Sequence, residues 1–249
     1  MPRKTPTLSD RIQRTNIEIP LPEGGALRGW FLKRGEGFPT VIYFYGNGDR
    51  LFNAYQRLCL LSERLAMNVI CVDYRGYGTS DGTPGLRSLA GDAVRIWDGT
   101  SALRKESPTM VYGFSIGTVA AIHLAAQRPL TGLILQAPIS SAQDVIPSWS
   151  RLAPWYVRPF LRLKPCAEVA AMHPFPVEEM GQVNSPLLVI HGTADETVPL
   201  SSGRKIFDAA ASPKKAWCEV PNAHHNDLDL DGEPAKSALT TFLSTLHKN

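Results

Sequence analysis

Residues 109–121, Thr-Met-Val-Tyr-Gly-Phe-Ser-Ile-Gly-Thr-Val-Ala-Ala, decide how the rest of the chain is read. A β-branched and aromatic run ends in Gly113-Phe114-Ser115-Ile116-Gly117 and passes straight into an Ala-rich helical pattern, which predicts a strand, a sharp turn and a helix. Gly113 and Gly117 have no side chains, so strand and helix can approach closely while Ser115 is held at a strained corner with its hydroxyl above the sheet edge. The helix N-terminus adds N–H groups and a positive dipole where negative charge would develop during acyl transfer. Ser115 is the candidate nucleophile. The same pentapeptide also fits a serine that merely caps a helix in a tight turn, so the flanking chain has to decide.

On the N-terminal side, residues 1–16 are polar and read as an irregular arm. Ile17 to Pro22 and Ala26 to Lys33, parted by Glu23-Gly24-Gly25, form a hairpin pattern. Thr40 to Tyr45 is a continuous apolar run broken at Gly46-Asn47-Gly48, the pattern of a strand buried on both faces that ends at a functional loop. A helix from Phe52 to Ala66, a strand from Asn68 to Asp73, a Gly-rich loop from Tyr74 to Gly82 and a helix from Leu86 to Leu103 follow. Beyond the pentapeptide come a strand from Leu130 to Gln136, a strand from Pro186 to His191, a helix near Leu200 to Ala211, a strand from Ala216 to Val220 and a last helix near Pro234 to Leu246. Alternation of this kind implies an α/β fold with a mostly parallel sheet and helices on both faces, its functional groups gathered at the carboxyl ends of the strands.

Composition narrows the class. A chain of 249 residues, 43% hydrophobic and 20% charged, can bury a full core and reads as one domain over 1–249. A net charge of +3 with acids and bases interspersed gives no polycationic face, so no nucleic-acid partner is expected. Cys59, Cys71, Cys166 and Cys218 lack ligand spacing, which argues against zinc and against a disulfide framework. No apolar stretch is long enough to span a bilayer and none follows the basic N-terminus, so a soluble, cytoplasmic protein with no integral membrane segment is expected.

The run Leu187 to Pro199 places an acid, Asp195 or its neighbour Glu196, just past a buried strand. Pro221 to Asp227 places two imidazoles, His224 and His225, just past the next. Acyl transfer at a serine needs a base to take its proton and a carboxylate to fix the base's tautomer. The order Ser, acid, His is the one that goes with a nucleophile elbow on such a sheet. His123, inside the helix after Ser115, and His247, near the C-terminus, are not expected to act as bases, and His191 reads as a structural hydrogen-bonder. Asp73 and Arg75 are expected to brace the loop beside the site. Asp73, Asp92 and Asp98 have no partners at ligand spacing and read as solvated or capping, so neither a metal nor any other cofactor is expected.

With these residues in hand, the chain resembles the α/β-hydrolase-fold serine hydrolases, nearest the esterase branch of the Bem46-like proteins and α/β-hydrolase domain-containing proteins 13 and 17. Five motifs carry the likeness: Tyr45-Gly46-Asn47-Gly48, Asp73 to Gly78, Gly113 to Gly117, His191 to Asp195, and His225-Asn226-Asp227. The resemblance implies Ser115 as nucleophile, Asp195 as orienting acid and His225, followed directly by Asn226-Asp227, as general base. Asp227 is expected to cap or brace the last loop. It further implies an oxyanion hole from the backbone N–H groups of Ile116 and Asn47. Relatives usually carry His where this chain has Tyr45, which puts the bracing of that loop in question.

Ile139 to Asn184 breaks the alternation, with prolines interrupting a stretch that holds Trp149, Trp155, Tyr156, Phe160 and Phe175. It reads as a lid insertion. One reading is an apolar acyl pocket rimmed by Arg151, Arg158, Arg162 and Lys164; the other is that these aromatics simply pack on the sheet. The expected partner is a small acyl ester or thioester and the expected activity that of a carboxylesterase. By the same resemblance, thioesterase or protein depalmitoylase activity, a serine peptidase and a non-catalytic binding scaffold are the alternatives.

Overall fold

The computed structural model describes residues 12–105, 107–152, 156, 163–164, 167 and 175–246. Eight strands form one sheet in the order β1-β2-β4-β3-β5-β6-β7-β8. They are β1 (Gln13–Pro20), β2 (Ala26–Lys33), β3 (Thr40–Phe44), β4 (Asn68–Val72), β5 (Thr109–Phe114), β6 (Gly132–Gln136), β7 (Leu187–Gly192) and β8 (Lys215–Val220). The β1–β2 and β2–β4 pairs are antiparallel and the other five pairs are parallel, as in an α/β-hydrolase fold. Burial follows position in the sheet. Every residue of β3, β4, β5 and β7 is buried, whereas β1 at the edge buries only Ile17 and Ile19.

The helices among the described residues are α1 (Leu51–Leu65), α2 (Leu86–Gly99), α3 (Ser101–Arg104), α4 (Gly117–Gln127), α5 (Ala142–Leu152), α6 (Pro176–Glu179), α7 (Leu200–Ala209) and α8 (Ala235–Leu246). Strand alternation sorts them onto two faces. A Cβ on Gly113 would lie 2.8 Å from Ala121 and Thr118, so that side of β5 faces α4, and α2, α4, α6 and α7 pack in succession there. Tyr112 points the other way, into a space bordered by α1. A Cβ on Gly132 would meet Phe242 and Leu246, which puts α8 on that second face.

Two expected boundaries shift. Residues 13–16, read as part of an irregular arm, extend β1 because they find backbone partners at Trp30 to Lys33. The helix expected from Leu86 to Leu103 breaks at Thr100, whose hydroxyl donates to the Ile96 carbonyl at 2.6 Å and whose backbone leaves the helical region. Gly99 just before it lowers the helix propensity and allows Ile19 of β1 to come close.

Candidate active site

At the end of β5, Ser115 has φ +52°, a left-handed conformation that is costly for a side chain other than glycine's. The surrounding bonds enforce it. The Ser115 N–H donates to the Gln136 carbonyl at 3.0 Å, while the Ser115 carbonyl accepts from the Thr118 N–H at 2.9 Å and the Thr118 hydroxyl at 2.6 Å. A Cβ on Gly117 would overlap the carbonyls of Phe44 and Tyr45, so the elbow closes only with glycine there. Ile116 is the N-cap residue of α4, at the end where backbone N–H groups have no partner within the helix.

Loops after β7 and β8 bring the other two groups to this corner. His225 Nε2 lies 2.9 Å from Ser115 Oγ, and His225 Nδ1 lies 2.8 Å from Asp195 Oδ2. Both partners are shielded, with 7% of the His225 side chain exposed and none of Asp195. Asp195 Oδ1 accepts the N–H groups of Thr197 and Val198 at 2.9 and 2.8 Å. Burial works to raise the Asp195 pKa, yet hydrogen bonds from His191 and His225, the His225 charge and the Val198 N–H outweigh it and hold the carboxyl well below its usual range. Phe114 stacks on the His225 ring at 5.2 Å between centroids. Gly192 permits the two loops to meet, since a Cβ there would strike the Ala223 carbonyl.

The loop after β3 is braced through Asp73, as expected, and the partners it uses are Tyr45, Tyr74 and α1. The Tyr45 hydroxyl donates to Asp73 Oδ1 at 2.9 Å and accepts the Tyr74 N–H at 3.2 Å, and the Tyr74 hydroxyl donates to the Tyr45 carbonyl at 2.7 Å. Burial, reinforced by the Asp73 charge, keeps the Tyr45 hydroxyl protonated far above its ordinary range. Asp73 also accepts the Leu51 N–H at 2.9 Å and the Thr79 N–H at 3.2 Å, so it satisfies the first turn of α1, which has no local side-chain cap. Asn47 is exposed on this loop, and its Oδ1 accepts from the Tyr77 hydroxyl at 2.9 Å. Tyrosine in place of histidine at position 45 was the one available signal.

Other expected roles sort as follows. His224 and Glu196, the alternative base and acid, meet each other at 2.9 Å on the surface, and Asp227 accepts the His224 N–H at 2.6 Å. His191 donates to the Val198 carbonyl at 2.9 Å, and His123 is held by Glu179 at 2.6 Å and Gln127 at 2.8 Å. Of the reading of Asp73 and Asp92 as solvated or capping, the solvated half is corrected: both are buried, Asp73 taking the capping role at α1 and Asp92 forming a two-pronged pair with Arg75 at 2.6 and 2.8 Å. Asp98 is exposed and pairs with Arg128 at 2.9 Å. Cys59, Cys71 and Cys218 are free thiols, while Cys166 and His247 lie outside the described residues. No group of three metal-ligating side chains occurs among the described residues, and no helix among them is long and apolar enough to cross a membrane.

Ile116 separates two cavities. One, about 270 Å³, is walled by Val119, Ile139, Val145, Ile146, Trp149 and Phe175, with Lys164 beside it. The other, about 240 Å³, lies toward Tyr74 and Tyr77. Tyr156 is exposed and Arg151 faces solvent, whereas Trp155, Arg158, Phe160 and Arg162 lie outside the described residues.

A family model described as serine aminopeptidase, S33 (Hydrolase_4) matches residues 40–173, from β3 through the elbow and beyond. The chain belongs to the Hydrolase_4 family. This Hydrolase_4 protein is 32% identical over 235 residues to an uncharacterized protein of Mycobacterium tuberculosis, covering 92% of the present chain and 79% of that one. It is 30% identical over 201 residues to human alpha/beta hydrolase domain-containing protein 17B, covering 78% of this chain and 62% of that protein. Among solved structures, the Pyrococcus furiosus esterase Pf2001 superposes with a TM-score of 0.74 at 18% identity, covering 94% of this chain and 93% of that one. That likeness concerns the fold. Asp195 and His225 lie beyond the stretch the Hydrolase_4 match covers, so their place in the site rests on the geometry above.

Proposed function

We propose that this protein is a serine hydrolase that cleaves carboxylic esters with apolar acyl groups through an acyl-enzyme on Ser115. The observation that carries the reading is the unbroken succession Ser115 Oγ, His225 Nε2, His225 Nδ1, Asp195 Oδ2, with links of 2.9 and 2.8 Å. Ser115 attacks the carbonyl carbon while His225 takes the hydroxyl proton, and Asp195 fixes the imidazole tautomer and offsets the charge it gains. The oxygen that becomes negative is met by the N–H groups of Ile116 and Asn47, each such donor supplying about 3 kcal/mol of barrier lowering. His225 then gives its proton to the departing alcohol oxygen, and water, activated by the same imidazole, releases the acid.

The family description raises aminopeptidase activity as the competitor. A site for free peptide N-termini must hold an ammonium group next to the scissile bond, which calls for a carboxylate or a ring of acceptors. Among the described residues neither cavity flanking Ile116 has Asp or Glu in its wall, and the wall toward α5 is mostly aliphatic and aromatic, with Ser141 and Lys164 its polar members. That favours an apolar acyl group in the cavity beside α5. Thioesters present the same acyl arm and carbonyl, so they remain within the proposed chemistry.

A fluorophosphonate probe tests the assignment. Wild-type protein is expected to be labelled at Ser115, Ser115→Ala not at all, and His225→Ala at a small fraction of the wild-type rate. Folded wild type that resists labelling would place the protein among binding scaffolds instead. A p-nitrophenyl ester chain-length series run beside an aminoacyl p-nitroanilide and an acyl thioester then ranks the three chemistries.

A further inference from the structure

An ester has two arms, and among the described residues two cavities meet at Ile116, the residue after Ser115. The acyl reading assigns only the one under α5. The second, about 240 Å³, is walled by Tyr74, Tyr77, Pro84, Leu86, Leu89 and Ile116. Leu86 and Ile116 belong to both walls, so they form the partition from which the cavities diverge. Ile116 directly follows Ser115, which sets the partition beside the reacting carbonyl.

This second space is preformed and uncharged in character. Tyr74 is fixed by its hydroxyl on the Tyr45 carbonyl at 2.7 Å, and Tyr77 packs edge-on against it at 5.7 Å between centroids. Tyr77 also holds Asn47 at 2.9 Å, so the cavity wall and the oxyanion loop are one unit. The one cation among the described residues of the wall, Arg75, has its guanidinium engaged by Asp92 at 2.6 and 2.8 Å and by Glu23. A carboxylate or phosphate on the substrate would have to displace those partners. What the space suits is a neutral, flat or cyclic group that stacks on tyrosine and proline, and ~150 Å³ already suffices for a benzene ring in an apolar cavity.

We infer that this cavity is the leaving-group site, selective for uncharged aromatic or cyclic alcohols. The inference rests on the acyl-enzyme reading and extends it to the other half of the substrate. It also means that the site should work in reverse: a bound alcohol replaces water as the acceptor. In that step the alcohol oxygen forms a bond to the acyl carbon, the bond from that carbon to Ser115 Oγ breaks, and the alcohol proton passes through His225 to Ser115 Oγ.

Partitioning of one acyl-enzyme separates this inference from the reading beneath it. The protein is acylated with p-nitrophenyl butyrate in the presence of benzyl alcohol or methanol, and the ratio of benzyl to methyl ester formed is measured. Ser88 lines the cavity from the first turn of α2. Filling it with Ser88→Phe is expected to lower the benzyl-to-methyl ratio about tenfold. Leu89→Ala, which enlarges the same wall, is expected to improve the ratio for bulkier 1-naphthylmethanol relative to methanol. Ratios within about twofold of wild type in both variants, or a shift in acyl chain-length preference in place of alcohol preference, would overturn the assignment. Absence of any butyryl-enzyme on wild type would instead remove the hydrolase reading itself, and this one with it.

Discussion

Two histidine–carboxylate pairs bridge the same two loops, and they differ in almost nothing except their surroundings. His225 meets Asp195 at 2.8 Å; His224 meets Glu196 at 2.9 Å, one residue back on one loop and one forward on the other. The first pair is 7% and 0% exposed, the second 56% and 50%. In the interior a charge developing on imidazole feels its carboxylate strongly, whereas an exposed pair is screened and worth little. Only His225 has its second nitrogen against a hydroxyl, at 2.9 Å from Ser115 Oγ. Hydrogen-bond length alone therefore does not mark a base; shielding and a third partner do.

Variants of the inner succession should show the largest effects. Ser115→Ala and His225→Ala are each expected to lower kcat on a p-nitrophenyl ester by about 10⁶-fold, and the double variant by about the same amount, because the two act as a unit. The comparison breaks if His224→Ala costs as much as His225→Ala. Asp195→Asn keeps the shape but leaves His225 with a neutral partner that can hold the wrong tautomer, and about 10⁴-fold is the expected loss in kcat. A loss shared equally with Glu196→Gln would mean that the two carboxylates support the imidazole jointly.

Acid sharpens the contrast further. Asp195 is buried, which by itself would raise its pKa, but His191, His225 and backbone N–H groups hold it well below the usual range. In the unfolded chain the group takes up a proton near its ordinary value of about 3.9, while the folded state resists until lower pH. Its contribution to stability is thus whole above the unfolded value and is lost as pH falls through the folded one. The urea-midpoint difference between wild type and Asp195→Asn should shrink as pH falls below about 5. A difference that stays level throughout acid pH would show that this carboxyl is not held low.

The sequence disclosed the alternating, mostly parallel architecture and the three loop ends, though not the spatial order of the strands. Architecture and loop ends depend on local pattern: buried runs, glycine at the elbow, polar groups just past each strand. It missed what depends on partners distant in the chain. Asp73 reads as a brace for its loop, but not through the partners it has: it satisfies the first turn of α1 and anchors Tyr45. Asp92 reads as solvated or capping and is buried because Arg75, in a loop 17 residues earlier, covers it. His224 and Glu196 read as substitutes for the neighbours beside them. Their pairing with one another follows from the register in which the two loops face each other, which Ala194 N–H on the Ala223 carbonyl at 3.0 Å fixes.

That register makes the outer pair the most informative place to look for a small effect. Hydrogen bonding to His224 lowers the Glu196 pKa, and hydrogen bonding to Glu196 raises that of His224, yet both groups sit in solvent. If the pair is only a surface contact, Glu196→Gln and His224→Gln should each leave the urea midpoint unchanged and kcat within about threefold of wild type. If it instead clamps the loops so that His225 stays aligned, kcat should fall more than about tenfold while the urea midpoint hardly moves. A double variant decides between these: independent surface charges give additive losses, whereas a clamp is already lost with either single change, so the second adds nothing. Additivity is the expected result, because the 2.8 Å link inside and the N–H donors on Asp195 Oδ1 already fix the inner pair without help from the rim.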